Sequence, residues 1–319
     1  MSKYISKRLI KGFITFFITV TLTFFIVRLM PADPATLLMD PRMSEAHKQQ
    51  MLADFGLDKP LIIQYFSYIK NLFQGDLGIS FMQKRPVMDI IMEKLPWTLL
   101  LMVITQVTTM AIGIPLGIYS GYKRGSLFDQ IINAIAIFGI SIFVPWLGFT
   151  LLYIFGFHLA ILPIGGAYTP GVSGGWGYFL DVGKHLILPV ITLMTIYLAN
   201  YVLYTRGSVI DVLSEDYIRT ARSKGMKEKR VLWKHASKNA MIPTVTTAGL
   251  MIGRMVGGAV LTETVFAYPG VGRMVYQAVS QQDFPILQGS FIILALSVII
   301  MNIITDVLCA YLDPRIKLD

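Results

Sequence analysis

Six stretches of this 319-residue chain are apolar over about the 20 residues that an α-helix needs to cross a bilayer. They lie near residues 9–30, 98–119, 131–157, 186–204, 243–261 and 286–312. Inside hydrocarbon every backbone N–H and C=O must be satisfied within the segment, which leaves the helix as the form for such runs. The composition agrees: 54% of residues are hydrophobic and 15% charged, against about a quarter charged in soluble domains. The expected fold is all-α, a polytopic membrane protein with six transmembrane helices. The first run is too long for a cleavable signal, and no small-residue cleavage site precedes Arg28, so it is expected to remain as a span. The single cysteine, Cys309, lies in the last run, which rules out a disulfide framework or a thiolate metal cluster.

The net charge of +9 is distributed by side rather than gathered into a nucleic-acid patch. Lys3, Lys7, Arg8, Lys11, Lys123 and Arg124, nine basic residues from Arg206 to Lys238, and Arg315 and Lys317 all fall on one side of the six spans. The other side holds Lys184, Arg273 and a long loop whose basic residues are matched by acids. By the positive-inside rule both termini and the 206–242 segment are expected in the cytoplasm. Three regions follow: 1–30, the N-terminus and first span; 31–94, an external loop; and 95–319, a five-span core carrying a cytoplasmic hairpin at 206–242.

That hairpin holds the longest polar interruption of the C-terminal half, EDYIRTARSKGMKEKRVLWKHASKNAMIP at 215–243. Ser214 is placed to cap a short helix, Glu215 and Asp216 suit its positive end, and Arg222 and Lys224 its negative end. Gly225 stands where a left-handed residue ends a helix. A second helix is expected from about Glu228, with Val231, Leu232, Trp233 and Ala236 as its apolar stripe, giving way at Pro243 to the next span. Two short helices with one apolar and one basic face, wedged between spans, suit docking onto a soluble partner.

The stretch resembles the loop of ABC-importer membrane subunits that carries the coupling helix. Within that superfamily it is similar to the peptide/nickel permeases: Asp216, Tyr217, Arg219, Thr220, Ala221, Arg222, Lys224, Gly225, His235, Ala236, Lys238, Asn239, Ala240, Ile242 and Pro243 match their pattern. The general superfamily pattern fits less well, with Arg219 in place of Glu and His235, Ser237 and Lys238 in place of Ile, Leu and Pro. That departure is the one the peptide subgroup shows.

Further strings carry the same resemblance. GLDKPL at 56–61, GDLGIS at 75–80 and PVMDIIMEKLPWTLL at 86–100 resemble the family's external segment and the start of its second span. In ETVFAYPGVGRMVYQAVSQQDFPILQG at 263–289, Glu263, Phe266, Pro269, Gly270, Gly272, Asp283, Phe284, Pro285 and Gly289 match its outer loop. Pro269–Gly270 is also a turn signal in its own right, and the glycines would let the loop dip back into a pore mouth. In the external loop, Ser44 is expected to cap a helix over 45–55 that stops at Gly56, with another at 61–73 after Pro60. Two small-xxx-small series, Gly113/Gly117/Gly121 and Gly249/Gly253/Gly257, permit close helix contact, within the chain or with a second subunit.

No Gly-x4-Gly-Lys-(Ser/Thr) string occurs, so the chain cannot itself be a P-loop ATPase, and GYKRGS at 121–126 reads as a plain cytoplasmic turn. His-Glu-x-x-His, Gly-x-Ser-x-Gly and paired intramembrane aspartates are also absent from the sequence. No catalytic residue and no metal site is expected. Arg254 and Asp306 are charges inside spans, which are costly and suggest function or pairing. Arg254 could pair with Asp306 or with Glu263, fixing the bundle or lining a path.

The resemblance implies a type I ABC importer permease of the prokaryotic plasma membrane, half of a path for oligopeptides or dipeptides. Its implied partners are a paralogous permease subunit, two ABC ATPase subunits that use ATP and Mg, an extracytoplasmic substrate-binding protein and membrane lipid, with no nucleic acid. Tyr217–Gly225 would enter the ATPase cleft, with Ala221 giving close approach, Gly225 the turn, and Arg222, Lys224, Lys227 and Arg230 the charge contacts. Nickel or a metal–chelator complex is an alternative cargo. A secondary transporter or channel is an alternative of another class, which would predict inverted repeats.

Overall fold

A computed structural model describes residues 2–29, 58–172 and 174–312, and among these the regular structure is helical. The order is α1 (Ser2–Leu29), α2 (Leu61–Phe73), α3 (Val87–Tyr122), α4 (Leu127–Ser141), α5 (Val144–Leu151, continued by a π-helical stretch Leu152–His158), α6 (Gly175–Leu213), α7 (Asp216–Ser223), α8 (Ser237–Val265), α9 (Val271–Gln281) and α10 (Phe284–Leu312). The expected helix at 45–55 and its Ser44 cap lie outside the described residues. The helix expected at 61–73 is present with those bounds. It packs on α1, where Tyr65 Oη and Thr21 Oγ1 share a hydrogen bond of 2.8 Å and Tyr68 stacks on Phe24.

Stretches within α1, α3, α6 and α10 are long and apolar enough to cross a membrane. The third expected span is not one rod. α4 and α5 with its π-helical extension meet at a bend of 103°. Ile142 and Phe143 are extended there (ψ 133° and 117°), and Pro145, in the first turn of α5, brings no N–H that a continuing helix could use. α8, with 29 residues and Arg254 within it, is likewise long enough to cross a bilayer.

The centre of the bundle is the seam between α3 and α6. Gly113 lies against Leu198 and Tyr201, Gly117 against Val202 and Thr205, and Gly121 against Arg206 and Val209, so the two helices run the same way. A Cβ at Gly117 would sit 2.7 Å from Thr205 Cβ and 2.8 Å from the Val202 carbonyl oxygen, which leaves no room for a side chain. This series therefore serves packing within the chain. In the second series Gly249 meets Thr305 and Gly253 meets Val298 of α10, whereas Gly257 has nothing within 4 Å of a Cβ position. Around the seam, Leu101, Leu193, Tyr197, Tyr201, Met251 and Met255 form the largest buried cluster.

Gly117→Val should force the α3–α6 seam apart at a cost of about 1–3 kcal/mol, as overpacking does. Thermal unfolding of the purified complex should register it as a drop in Tm. Gly207→Ala, at an α6 position with nothing within 4 Å, should leave Tm unchanged or raise it.

Candidate functional site

Below the bundle, α7 folds back against the chain that follows it. Its inward residues Ile218 and Ala221 pack with Ile118 of α3, Val209 of α6, and Val231, Leu232, Ala236 and Ala240 beyond the turn. Burying Ile218, Val231 and Leu232 contributes about 1.5–3 kcal/mol each in contact with water. That outweighs the exposed Arg222–Glu228 pair (Nε–Oε1 2.8 Å), because such surface pairs contribute at most about 1 kcal/mol. The hairpin is thus anchored by its apolar underside. Gly225 makes the turn at φ +72°, a left-handed conformation that a side chain would strain.

Two local expectations differ from the structure. Ser214 ends α6, its hydroxyl donating to the Asp211 carbonyl, and Glu215 is the residue before α7. The helix also does not give way at Pro243. Residues Glu228–Arg230, a π-helical stretch Val231–Ala236 and α8 succeed one another without a gap, and Pro243 lies inside α8. Ser237 and Thr247 hydroxyls bond to the carbonyls of Trp233 and Pro243 four residues back. Side-chain donors of this kind make an irregular helical stretch tolerable.

The hairpin's outer surface holds most of the residues singled out by sequence. Asp216, Tyr217, Arg219, Thr220, Arg222, Lys224, Gly225, Lys227 and Arg230 are all exposed, and Trp233 is half exposed beside them. Some are already engaged: Arg219 Nη1 lies 3.5 Å from Asp216 Oδ1, and Asn239 Nδ2 donates to Tyr217 Oη at 2.7 Å. Lys224, Lys227 and Arg230 offer open charge. Ala221 differs from expectation. It is buried against the hairpin's own core, where it brings α7 close to its neighbouring helix. His235 is half-buried, with its Nε2 enclosed and without a hydrogen-bond partner.

Three buried carboxylates fasten the bundle. Just above the hairpin, Asp129 in the first turn of α4 takes two bonds from Arg206 (Nε–Oδ1 2.6 Å, Nη2–Oδ2 2.8 Å) and one from the Gly125 N–H at 2.9 Å. Ser120 Oγ and Asn133 Nδ2 complete the node, which joins α3, α4 and α6. At the opposite end Glu263 accepts from Thr98 Oγ1 at 2.7 Å and from the Arg273 N–H at 3.0 Å, while Thr98 accepts from the Val271 N–H. Glu263 and Thr98 together satisfy free N–H groups of α9, whose start follows the turn at Pro269–Gly270. Gly272 is crowded against Val260 of α8, with 2.6 Å from a Cβ position to the Val260 Cα. Asp283 accepts from Ser80 Oγ (2.5 Å), from the Phe81 and Met82 N–H groups, and from the Ile286 N–H of α10. The GDLGIS and QQDFP strings therefore meet in space. The outer loop expected to dip inward is largely helix α9, packed in the buried cluster with Val87, Ile90 and Ile91.

Glu263 does not pair with Arg254. Nine residues apart on one helix, they lie on opposite faces. The Asp306 side chain lies outside the described ones.

The sequence matches the family of binding-protein-dependent transport system inner membrane components over residues 113–318, and that family's N-terminal component over residues 1–102. The chain belongs to this family. It is 38% identical to the oligopeptide transport system permease protein AppB of Bacillus subtilis (strain 168), covering 99% of this chain and all of that one. Identity is also 38% to the dipeptide transport system permease protein DppB of Escherichia coli (strain K12), over 99% of both chains. The glutathione transport system permease protein GsiC of Escherichia coli O6:H1 is 38% identical over 99% of both. The chain is thus an ABC-importer permease, a membrane-spanning transport subunit and not an enzyme, as the hairpin and the outer strings had suggested. Membership in this family sets aside the carrier and channel alternative.

By local spacing GYKRGS is a plain turn, yet it leads into the Asp129–Arg206 node. A signal was present: Ser126 and Asp129 form an Ser-x-x-Asp helix start, and the Ser126 hydroxyl accepts from the Asp129 N–H. In the sequence Arg206 stands only among the nine basic residues of the 206–238 segment.

Asp283→Ala should release four donors, three of them backbone N–H groups, and destabilise the permease by about 3 kcal/mol. Limited proteolysis should detect it as faster cleavage near residues 80–86. Ala221→Glu would place a charge in the hairpin core and should unfold the hairpin itself, seen as new protease sites at 214–230 in the isolated permease.

Proposed function

We propose that this permease forms half of an import path for oligopeptides or dipeptides, driven by ATPases that grip the 215–236 hairpin from the cytoplasm. One observation carries the reading. In a chain of this family, the hairpin is fixed to the bundle by an apolar underside, leaving Tyr217, Trp233, Lys224, Lys227 and Arg230 on a free outer face. Exposed aromatics ringed by cations suit a protein partner. The peptide cargo follows from relatives of equal length named for oligopeptide and dipeptide transport.

On this reading α8 completes six spans, and both termini lie on the hairpin's side. A substrate-binding protein delivers the peptide at the far side. A paralogous permease supplies the other half of the path, and two ATPase subunits bind ATP and Mg. Their closure biases the bundle between its two access states through contacts at the hairpin. Arg254, exposed on α8, faces the path, while Glu263 and Asp283 hold the outer end together.

Reversing Lys227 and Arg230 together to Glu should weaken ATPase association by about tenfold, since each exposed charge contributes up to about 1 kcal/mol. The check is co-purification of the ATPases with the permease, alongside ATP-dependent peptide uptake in proteoliposomes. Undiminished association would move the docking surface elsewhere.

A further inference from the structure

The outward faces of the bundle are of two kinds. α1 exposes Leu9, Ile10, Phe13, Ile14, Phe17 and Ile18, a face suited to hydrocarbon. α8 exposes Pro243, Arg254, Gly257 and Leu261, which with half-buried Thr247 lie within about 80° of helical arc. Arg254 is level with the middle of its neighbours. Its carbonyl accepts from Tyr197 Oη of α6 at 3.0 Å, and Gly253 beside it packs 3.5 Å from Val298 of α10. Among the described residues no carboxylate pairs with it. A guanidinium at that depth must face water or an opposite charge, because hydrocarbon solvates it poorly. The empty space at Gly257, one turn away, leaves room in front of it.

We propose that Arg254 is a substrate-recognition residue whose guanidinium binds the C-terminal carboxylate of the passing peptide. The inference rests on the peptide-permease reading, which supplies both the path and the cargo. Every unmodified peptide carries that carboxylate whatever its side chains, and a guanidinium fork matches it with two parallel hydrogen bonds. One fixed arginine thus reads a feature common to all peptides and ignores what varies among them.

The test uses the complete importer in proteoliposomes with its binding protein. Uptake of a free-acid peptide and of its C-terminally amidated form is first measured with the unsubstituted importer. Uptake of neither one overturns the peptide reading itself. Arg254→Gln should then lower kcat/KM for the free acid by about tenfold and leave the amide within about twofold. Comparing each peptide with itself across the two proteins cancels any preference of the binding protein. Arg254→Lys, which keeps charge without the fork, should retain part of the free-acid uptake. Equal loss for both peptides overturns the carboxylate role. Separately, Arg254→Cys in a Cys309→Ser background should react with a membrane-impermeant thiosulfonate, and more slowly during peptide turnover. An inert thiol would put the position against lipid or the partner permease and overturn the inference while leaving peptide transport standing.

Discussion

Backbone contact between α3 and α6 is the constraint from which the remaining geometry follows. Three glycines on α3 let it lie directly on α6, with carbonyl oxygens where side chains would otherwise be. In lipid there is little hydrophobic drive to press helices together, so such closeness has to come from shape and from polar contacts. The Asp129–Arg206 node stands at the end of this seam, beside Gly121, and adds α4 to the pair. The hairpin core rests on Ile118 and Val209, which belong to the same end of the same two helices. The seam, the node and the hairpin therefore stack in one column, and a displacement of the hairpin meets a rigid assembly.

Buried charge in this permease is used mainly to finish helices. Asp129, Glu263 and Asp283 each accept backbone N–H groups at or near a helix start, where free donors and the positive end of the dipole favour a carboxylate. Each also reaches a residue far away in sequence: Arg206, Thr98 and Ser80. Arg254 is of another sort, exposed on a face of mixed polarity, and that difference is what marks it.

Much of this was legible in the sequence because membrane helices and turns obey local rules. The apolar runs marked α1, α3, α6 and α10, the helix after Pro60 appeared with its expected bounds, and Gly225 took the left-handed conformation its position after Lys224 suggested. What could not be read depended on context. Pro243 looks like a terminator, yet it sits within a continuous helix; Pro145 looks tolerable within a span, yet it stands at a bend of 103°. Which face of α7 turns inward was likewise hidden, since Ala221 fits either side of so short a helix until Ile218 and the residues after the turn show where the core lies. Arg206, which pairs with Asp129, and Ser80, Phe81 and Met82, which bond to Asp283, are distant in the chain, and local spacing carries no trace of them.

The unbroken run from Glu228 to Val265 has a mechanical implication. The outer arm of the hairpin and the helix carrying Arg254 form one continuous helical run, so movement of the hairpin's tip passes along it with no intervening loop to absorb it. The π-helical stretch Val231–Ala236 carries more residues per turn than the shaft above it. It sets the angular offset between the hairpin's outer face and the Arg254 face of α8, much as a keyway fixes a cam on its axle.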